Sequence, residues 1–71
     1  MIREHDLVVL TEDLPDARLK AGDVGTVVHV HKNGEAYEVE VTTGTGVTVA
    51  VATVLSRQVR PVTHRDVTHA R

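Results

Sequence analysis

The chain of 71 residues contains no cysteine, tryptophan or phenylalanine, and Tyr37 is its only tyrosine. The lack of cysteine excludes disulfide bonds, thiolate nucleophiles and thiolate metal ligands, and it is compatible with a reducing compartment. Because aromatic side chains are so scarce, the core must be aliphatic and few side chains could stack on a nucleic-acid base. A domain this short buries only about 60% of the surface that its unfolded chain exposes, so a monomer would be marginally stable and a homo-oligomer is an alternative.

Strong charge and long apolar runs are also missing. The formal net charge is −2, which weighs against a protein whose main task is to neutralise phosphates. No segment approaches the ~20 apolar residues of a membrane span. The first ten residues carry charges at positions 3, 4 and 6, unlike a signal peptide. We therefore interpret the protein as cytoplasmic and expect no contact with a membrane.

What is present is a valine-rich region, residues 24–53, that predicts two consecutive β-hairpins. Asn33-Gly34 is typical of a two-residue type I′ turn, in which both residues have positive φ. This turn places His31 opposite Ala36 and His29 opposite Glu38. The alternation then puts aliphatic side chains on one face and the histidines and glutamates on the other. The predicted inward residues of both hairpins are Val28, Val30, Tyr37, Val39, Val41, Val49 and Val51.

The loop of the second hairpin is predicted from the same rule. A two-residue loop at Gly44-Thr45 would turn the valines of the next strand to the glutamate face. A three-residue loop with Gly46 in the left-handed conformation pairs Val41 with Val49 and Val39 with Val51. We favour the longer loop because it gives three neighbouring strands one valine-rich face.

The remaining segments complete an all-β prediction. Residues 12–23 are expected to form a loop with one helical turn, and Gly25 indicates a bulge or a close backbone approach. One short helical turn is predicted at 55–58, before a last strand that Pro61 restricts to an edge. Strands are predicted at about 6–11, 24–32, 35–43, 47–54 and 58–62. Residues 1–62 would thus form a small five-stranded SH3-like antiparallel barrel, and residues 63–71 a flexible tail.

The strings DLVVLTEDLP from Asp6, LKAGDVGTVVHV from Leu19, GEAYEVEV from Gly34 and QVRPV from Gln58 resemble a family of small, mostly bacterial SH3-like-barrel proteins catalogued only as a domain of unknown function. The resemblance implies the fold but no activity. Because some members occur beside toxin-like genes, it also implies an antitoxin-like, immunity-like or accessory-subunit role. More loosely, the segment from Lys20 to Val27 resembles the KOW motif of ribosomal and transcription-elongation proteins, which implies RNA binding.

The sequence contains candidate residues for three kinds of binding site. His29 and His31 share a strand face with Glu38 opposite, so they are the candidate metal ligands, but a fourth ligand would have to come from His64 or His69 and no metal or other cofactor is predicted. Nucleic-acid binding, the alternative function, would use Lys20, Lys32 and Arg57. Protein binding through strand addition or an apolar patch would use Leu14, Leu19 and Val59.

Catalysis has little support in the sequence. Glu38 and Glu40 share a strand face, but a pair of carboxylates needs a pocket that separates their pKa values. No pattern suggests a nucleophile with its base, and no glycine-rich phosphate loop precedes a helix. We therefore expect a protein-interaction module without enzyme activity, whose partner is another protein.

Overall fold

The computed structural model describes residues 1–42 and 47–63. Its strands are β1 (Leu7–Leu10), β2 (Val24–His31), β3 (Ala36–Thr42), β4 (Thr48–Leu55) and β5 (Val59–Pro61). Two short 3₁₀ helices, η1 (Pro15–Ala17) and η2 (Ser56–Gln58), lie after β1 and before β5. Strand bounds therefore agree with the sequence prediction to within about a residue, and both predicted helical turns are present. The predicted tail and the loop at residues 43–46 lie outside the described residues, apart from Thr63 at the start of the tail.

The five strands form one antiparallel sheet in the order β4-β3-β2-β1-β5. The two hairpins are neighbours in the sheet, and β5 returns to pair with β1, with Leu10 opposite Val59. Within the described residues no pairing joins β4 to β5, so the sheet is open at both ends. The all-β prediction with five antiparallel strands is thus confirmed.

The first hairpin follows the predicted register only as far as His29. His31, Val30 and His29 face Ala36, Tyr37 and Glu38 as expected, but a bulge at Val28 then brings Val27 opposite Val39. The prediction that Val28 points inward is therefore wrong: Val28 is exposed and Val27 is fully buried. The extra residue also turns Gly25 to the core side, as expected when a bulge reverses the alternation along a strand.

The turn of this hairpin is wider than the predicted two residues, since it spans residues 32–35, one more on each side. Asn33 and Gly34 have positive φ, as predicted, but Lys32 does too, at 47°. The amide of Gly34 donates to the carbonyl oxygen of His31 at 2.9 Å. Lys32 therefore belongs to the turn and does not pair with Glu35.

The second hairpin departs from prediction by one register step. Thr42 faces Thr48 as the three-residue loop implies, but an extra residue at Val49 shifts the rest, so that Val41 faces Ala50 and Val39 faces Ala52. Val51, predicted inward, lies opposite Glu40 and is 58% exposed. The side chain of Val49 lies outside what the structure describes. The small Ala50 and Ala52 pack against the core on β4, the strand that η1 contacts.

The core lies between the concave side of the sheet and the loop that carries η1. Val8, Val9 and Leu10 of β1 are all buried, whereas Leu7 at the start of the strand is exposed. The loop is pinned to the core by Leu19, and Leu14 pairs with Leu19 through a single β-bridge. The core cluster consists of Val8, Leu10, Leu19, Val27, Tyr37, Val39, Val41, Val54 and Val59.

Gly25 lies where two strands approach most closely. A Cβ atom at this position would meet the side chain of Val39 and would be 2.9 Å from the carbonyl oxygen of Glu40. Real Cβ atoms are not found so close to a backbone oxygen. The glycine predicted to mark a close approach is therefore required by its neighbours on β3.

Candidate functional site

The side of the sheet opposite the core, which we call the outer face, carries a polar cluster centred on Glu38. The ring Nε2 of His31 donates to Oε2 of Glu38 at 2.8 Å, because an ionised carboxylate can only accept. The hydroxyl of Thr53 donates to both carboxylate oxygens, at 2.9 and 2.8 Å. Glu38 reaches both partners because β3 lies between β2 and β4 and its residues pair with both strands.

His29 is held differently, although it lies directly opposite Glu38 in the register. Its ring stands edge-on to that of His31, with centroids 4.6 Å apart. Its Nδ1 is 3.8 Å from Oε2 of Glu4 in the N-terminal segment. His31, and not His29, is therefore the hydrogen-bond partner of Glu38.

These contacts lower the pKa of Glu38 below its ordinary value of 4.5. The largest cause is the hydrogen bond from His31, followed by the bond from Thr53, with smaller contributions from the charges of the two histidines. Loss of hydration acts in the opposite direction and is outweighed. The carboxylate is therefore held in its ionised form.

The geometry of this cluster does not suit a nucleophile or a metal ion. In a nucleophile and base pair, the histidine accepts the hydroxyl proton and the carboxylate holds the far side of the ring. Here the carboxylate lies between Thr53 and His31, so the hydroxyl donates to the wrong group. Within residues 1–42 and 47–63, no three His, Cys, Asp or Glu side chains are placed to hold a metal. His64 and His69 fall outside these residues.

Replacement of Glu38 by glutamine should reduce stability at neutral pH and have little effect in acid. A carboxylate whose folded pKa is lowered stabilises the native state above its unfolded pKa, and this contribution is lost as the pH falls through the folded pKa. The gap between the urea midpoints of wild type and Glu38→Gln should therefore close as the pH is lowered from 7 to well below 4.5. Glu35→Gln, in the neighbouring turn, controls for the removal of one negative charge. A gap that is unchanged with pH would contradict this expectation.

The three basic residues predicted for nucleic-acid binding do not share one element. Lys20 precedes β2, Lys32 lies in the turn after β2, and Arg57 lies in η2. Acidic side chains are close to the first and last: Asp23 accepts the backbone amide of Lys20 at 2.9 Å, and Glu12 accepts from Gln58, next to Arg57, at 2.8 Å. Mixed charge of this kind weakens the attraction of a surface for phosphate.

The apolar residues predicted for protein binding belong largely to the core. Leu19 is 4% exposed and Val59 is 6% exposed, while Leu14 is half-buried. Their side chains hold the loop and β5 against the sheet, so the side chains of Leu19 and Val59 are not free to contact a partner in this conformation.

A cleft of about 330 Å³ lies beside the N-terminal segment, between residues 1–4 and the hairpin residues Val30, Asn33 and Gly34. Among the described residues that line it, Arg3 and Glu4 carry charged side chains.

The outer edge of β4, which faces away from β3, differs from the edge at β5 in how it is protected. The strand, TVAVATVL, contains no charged residue, no proline and no glycine. Its outward side chains include Val51 and Leu55, which are 58% and 42% exposed. Proteins usually protect edge strands with charges, proline, shortness or bulges. β5, at the other end of the sheet, has three residues that include Arg60 and Pro61, whereas in the part of the chain that the structure describes β4 is protected only by its bulge at Val49.

The direction of the free backbone groups follows from the bond between the amide of Ser56 and the carbonyl oxygen of Glu35, at 3.1 Å. This bond continues the β3-β4 register, so the even-numbered residues of β4 are those bonded to β3. The odd-numbered residues then point away from β3. Consistent with this, the amide of Leu55 donates to Oε1 of Gln58, outside the ladder, at 2.8 Å. Within the described part of the chain, nothing bonds to the backbone groups of Val51 and Thr53 that face outward.

Sequence reasoning did not select Val51 and Thr53 as site residues. A signal was present, since residues 47–55 lie within the longest uncharged run of the sequence, residues 41–56. The register step at Val49 concealed it, because the predicted pairing assigned Val51 to the core.

Comparisons with known proteins give one match. A family described as "Domain of unknown function (DUF4926)" matches residues 4–61. No curated protein and no solved structure gave a significant match. In the described residues, no helix is long and apolar enough to cross a membrane.

Proposed function

From the premise that the chain belongs to the DUF4926 family of unknown function, we propose that it is a non-catalytic protein-interaction module with an SH3-like barrel fold. It binds its partner by strand addition along the outer edge of β4. The barrel assignment is supported by the strand order, in which three consecutive strands form a meander and the last strand returns to the first. It is also supported by the contact between η1 and β4, which brings the long loop across the concave side.

The observation that carries the proposal is the state of the β4 edge. Unpaired amide and carbonyl groups on an exposed strand offer a partner main-chain hydrogen bonds, while outward side chains give the contact its specificity. The backbone of Val51 and Thr53 supplies these groups, and exposed Val51 and Leu55 border them. An edge strand exposed to water without charge or proline is otherwise prone to pair non-specifically with other chains. The presence of such an edge in β4 therefore favours a binding role.

A lysine at the edge tests this proposal, with a matched control on the same outer face. Val51 and Leu7 are both exposed aliphatic residues, at 58% and 52%, but β4 is an edge strand and β1 lies between β2 and β5. Exposed substitutions of this kind change stability by about 0.5 kcal/mol or less. Val51→Lys should abolish strand addition because a charge would have to enter the new ladder, and Leu7→Lys should preserve it.

The measurement is capture of partners from the native host by the tagged chain, with identification by mass spectrometry, followed by affinity measurement for the identified protein. Products of neighbouring genes, including toxin-like proteins, are the first to be tested by name. We expect binding that survives raised salt, is retained by Leu7→Lys and is lost by Val51→Lys. If both variants lose binding equally, the partner docks on the outer face, and the proposal of strand addition at the β4 edge is contradicted. If both variants bind as wild type does, neither the edge nor the outer face is the binding surface.

RNA binding is the competing outcome. It should appear in gel shifts at about 50 mM salt, fall steeply as salt rises, and depend on Lys20, Lys32 and Arg57. Sub-micromolar binding that is lost when these three residues are replaced by alanine would contradict a protein-interaction role. The placement of the three residues in different segments, and the acidic neighbours of Lys20 and Arg57, favour the protein partner.

A further inference from the structure

We infer that the partner at the β4 edge is a second copy of this chain, joined by antiparallel β4-β4′ pairing about a two-fold axis at Ala52. This inference rests on the proposed use of the β4 edge and names its occupant. Three features of β4 support it. They are the positions of its free backbone groups, the positions of the bulge at Val49 and the occupied Leu55 amide that end this free stretch, and the absence of charged residues.

The free backbone groups define the register. Val51 and Thr53 each present an amide and a carbonyl group away from β3, whereas the amide of Leu55 is already occupied by Gln58. When Val51 lies opposite Thr53 of a second copy, both groups of both residues are paired, in two hydrogen-bonded pairs related by symmetry. An axis at Thr53 would instead require the occupied amide of Leu55, and an axis at Val51 would bring Thr53 against the bulge at Val49.

The ends of the free stretch are symmetric about the same residue. The bulge at Val49 lies three residues before Ala52, and the capped amide of Leu55 lies three residues after it. An isologous interface requires such self-complementarity, because each residue must find its partner in an identical strand. An unrelated extended peptide would place no such condition on β4.

Side chains and charge agree with this register. The small Ala52 would face its own copy at the axis, and Val51 would face Thr53 on the outer face, a pairing of two β-branched residues. Like charges opposite each other destabilise a ladder, and self-pairing readily creates them, but β4 carries none. The nearest acidic residues of the two outer faces, Glu38 and Glu40, lie on β3. They would be separated from those of the second copy by three strand spacings, about 14 Å, which exceeds the screening length of about 10 Å at 0.1 M salt.

Disulfide trapping tests the register directly, since the chain has no cysteine of its own. Two full-length variants, Val51→Cys and Thr53→Cys, carry tags of different mass. In the inferred register these positions face each other at a Cα separation of about 5.5 Å, within the range of about 4.4 to 6.8 Å that a disulfide needs. Identical positions in the two copies would lie diagonally, at about 7 to 8 Å.

We expect the mixture of Val51→Cys and Thr53→Cys to form the mixed disulfide dimer at an initial rate at least several-fold above that of either variant alone. Leu7→Cys mixed with Thr53→Cys is the matched control and should not exceed random collision. Sedimentation of the wild-type chain over a concentration series should show a monomer-dimer equilibrium, and Val51→Lys should be monomeric throughout.

Faster trapping of either variant with itself would overturn the axis at Ala52. A wild-type chain that is monomeric at all concentrations and gives no mixed disulfide would overturn the second copy as the partner. In that case the proposed function still stands if an identified host protein binds wild type and Leu7→Lys but not Val51→Lys. It fails as well if no such protein is found.

Discussion

Replacing Tyr37 with alanine should remove a large part of the stability of the domain. Truncation of a large buried aromatic side chain costs about 3 to 5 kcal/mol, and a chain of 71 residues has a total stability of about 4 to 11 kcal/mol at the usual stability per residue. Tyr37 is buried in the core cluster and is the only aromatic side chain there, with aliphatic neighbours that cannot fill its volume. Urea unfolding followed by circular dichroism measures the loss.

Tyr37→Phe is the matched control for this substitution. It keeps the ring and removes only the hydroxyl, so the change should stay below about 1.5 kcal/mol. A Tyr37→Ala variant that unfolds at the wild-type urea midpoint would mean that the ring does not fill the core as described.

Replacing Gly25 with alanine should lower the free energy of unfolding by about 1 to 3 kcal/mol, the range found when extra carbon atoms are forced into a well-packed site. The added methyl would meet the Val39 side chain and would also come within 2.9 Å of the carbonyl oxygen of Glu40. A side chain can change its rotamer, but the backbone oxygen belongs to the β2-β3 ladder and cannot move without breaking it.

The double variant Gly25→Ala with Val39→Ala separates these two contacts. If the backbone contact dominates, removing the Val39 side chain should not rescue the alanine at position 25, and the two losses should add. Thr26→Ala, on the next residue of the same strand, controls for changes in strand propensity. Wild-type stability in Gly25→Ala would show that β2 and β3 are further apart than in this structure.

The sequence predicted the positions of the strands and helical turns better than it predicted which side chains of each strand face the core. Element positions depend on local signals, and Pro15, Asn33-Gly34 and Pro61 marked the breaks correctly. Faces depend on register, which was extended from each turn as if the strand were regular. The single extra residues at Val28 and Val49 reversed the inward and outward alternation of the side chains beyond them. Valine at either position gives no sequence signal of a bulge.

The candidate site was accessible from the sequence only in part. The pairing of His29 with Glu38 followed from the turn, but the hydrogen bond from His31 depends on side-chain directions at the bulge. The β4 edge could not be assigned, because the predicted register buried Val51. Leu19 was predicted to contact a partner, but its side chain is buried in the core. Whether such an apolar side chain is buried or exposed depends on how the loop packs, which the sequence does not specify.

The pairing of β1 with β5 has a consequence for how the chain folds. The hairpins β2-β3 and β3-β4 join residues that are close in sequence, whereas Leu10 and Val59 come from opposite ends of the domain. Closing so long a loop loses chain entropy before any contact is gained, and non-local strand pairing is slow for this reason. During synthesis β1 leaves the ribosome first and β5 last. The first strand therefore keeps one edge unpaired until residues 59–61 have emerged, and folding of the nascent chain can finish only after translation has reached them.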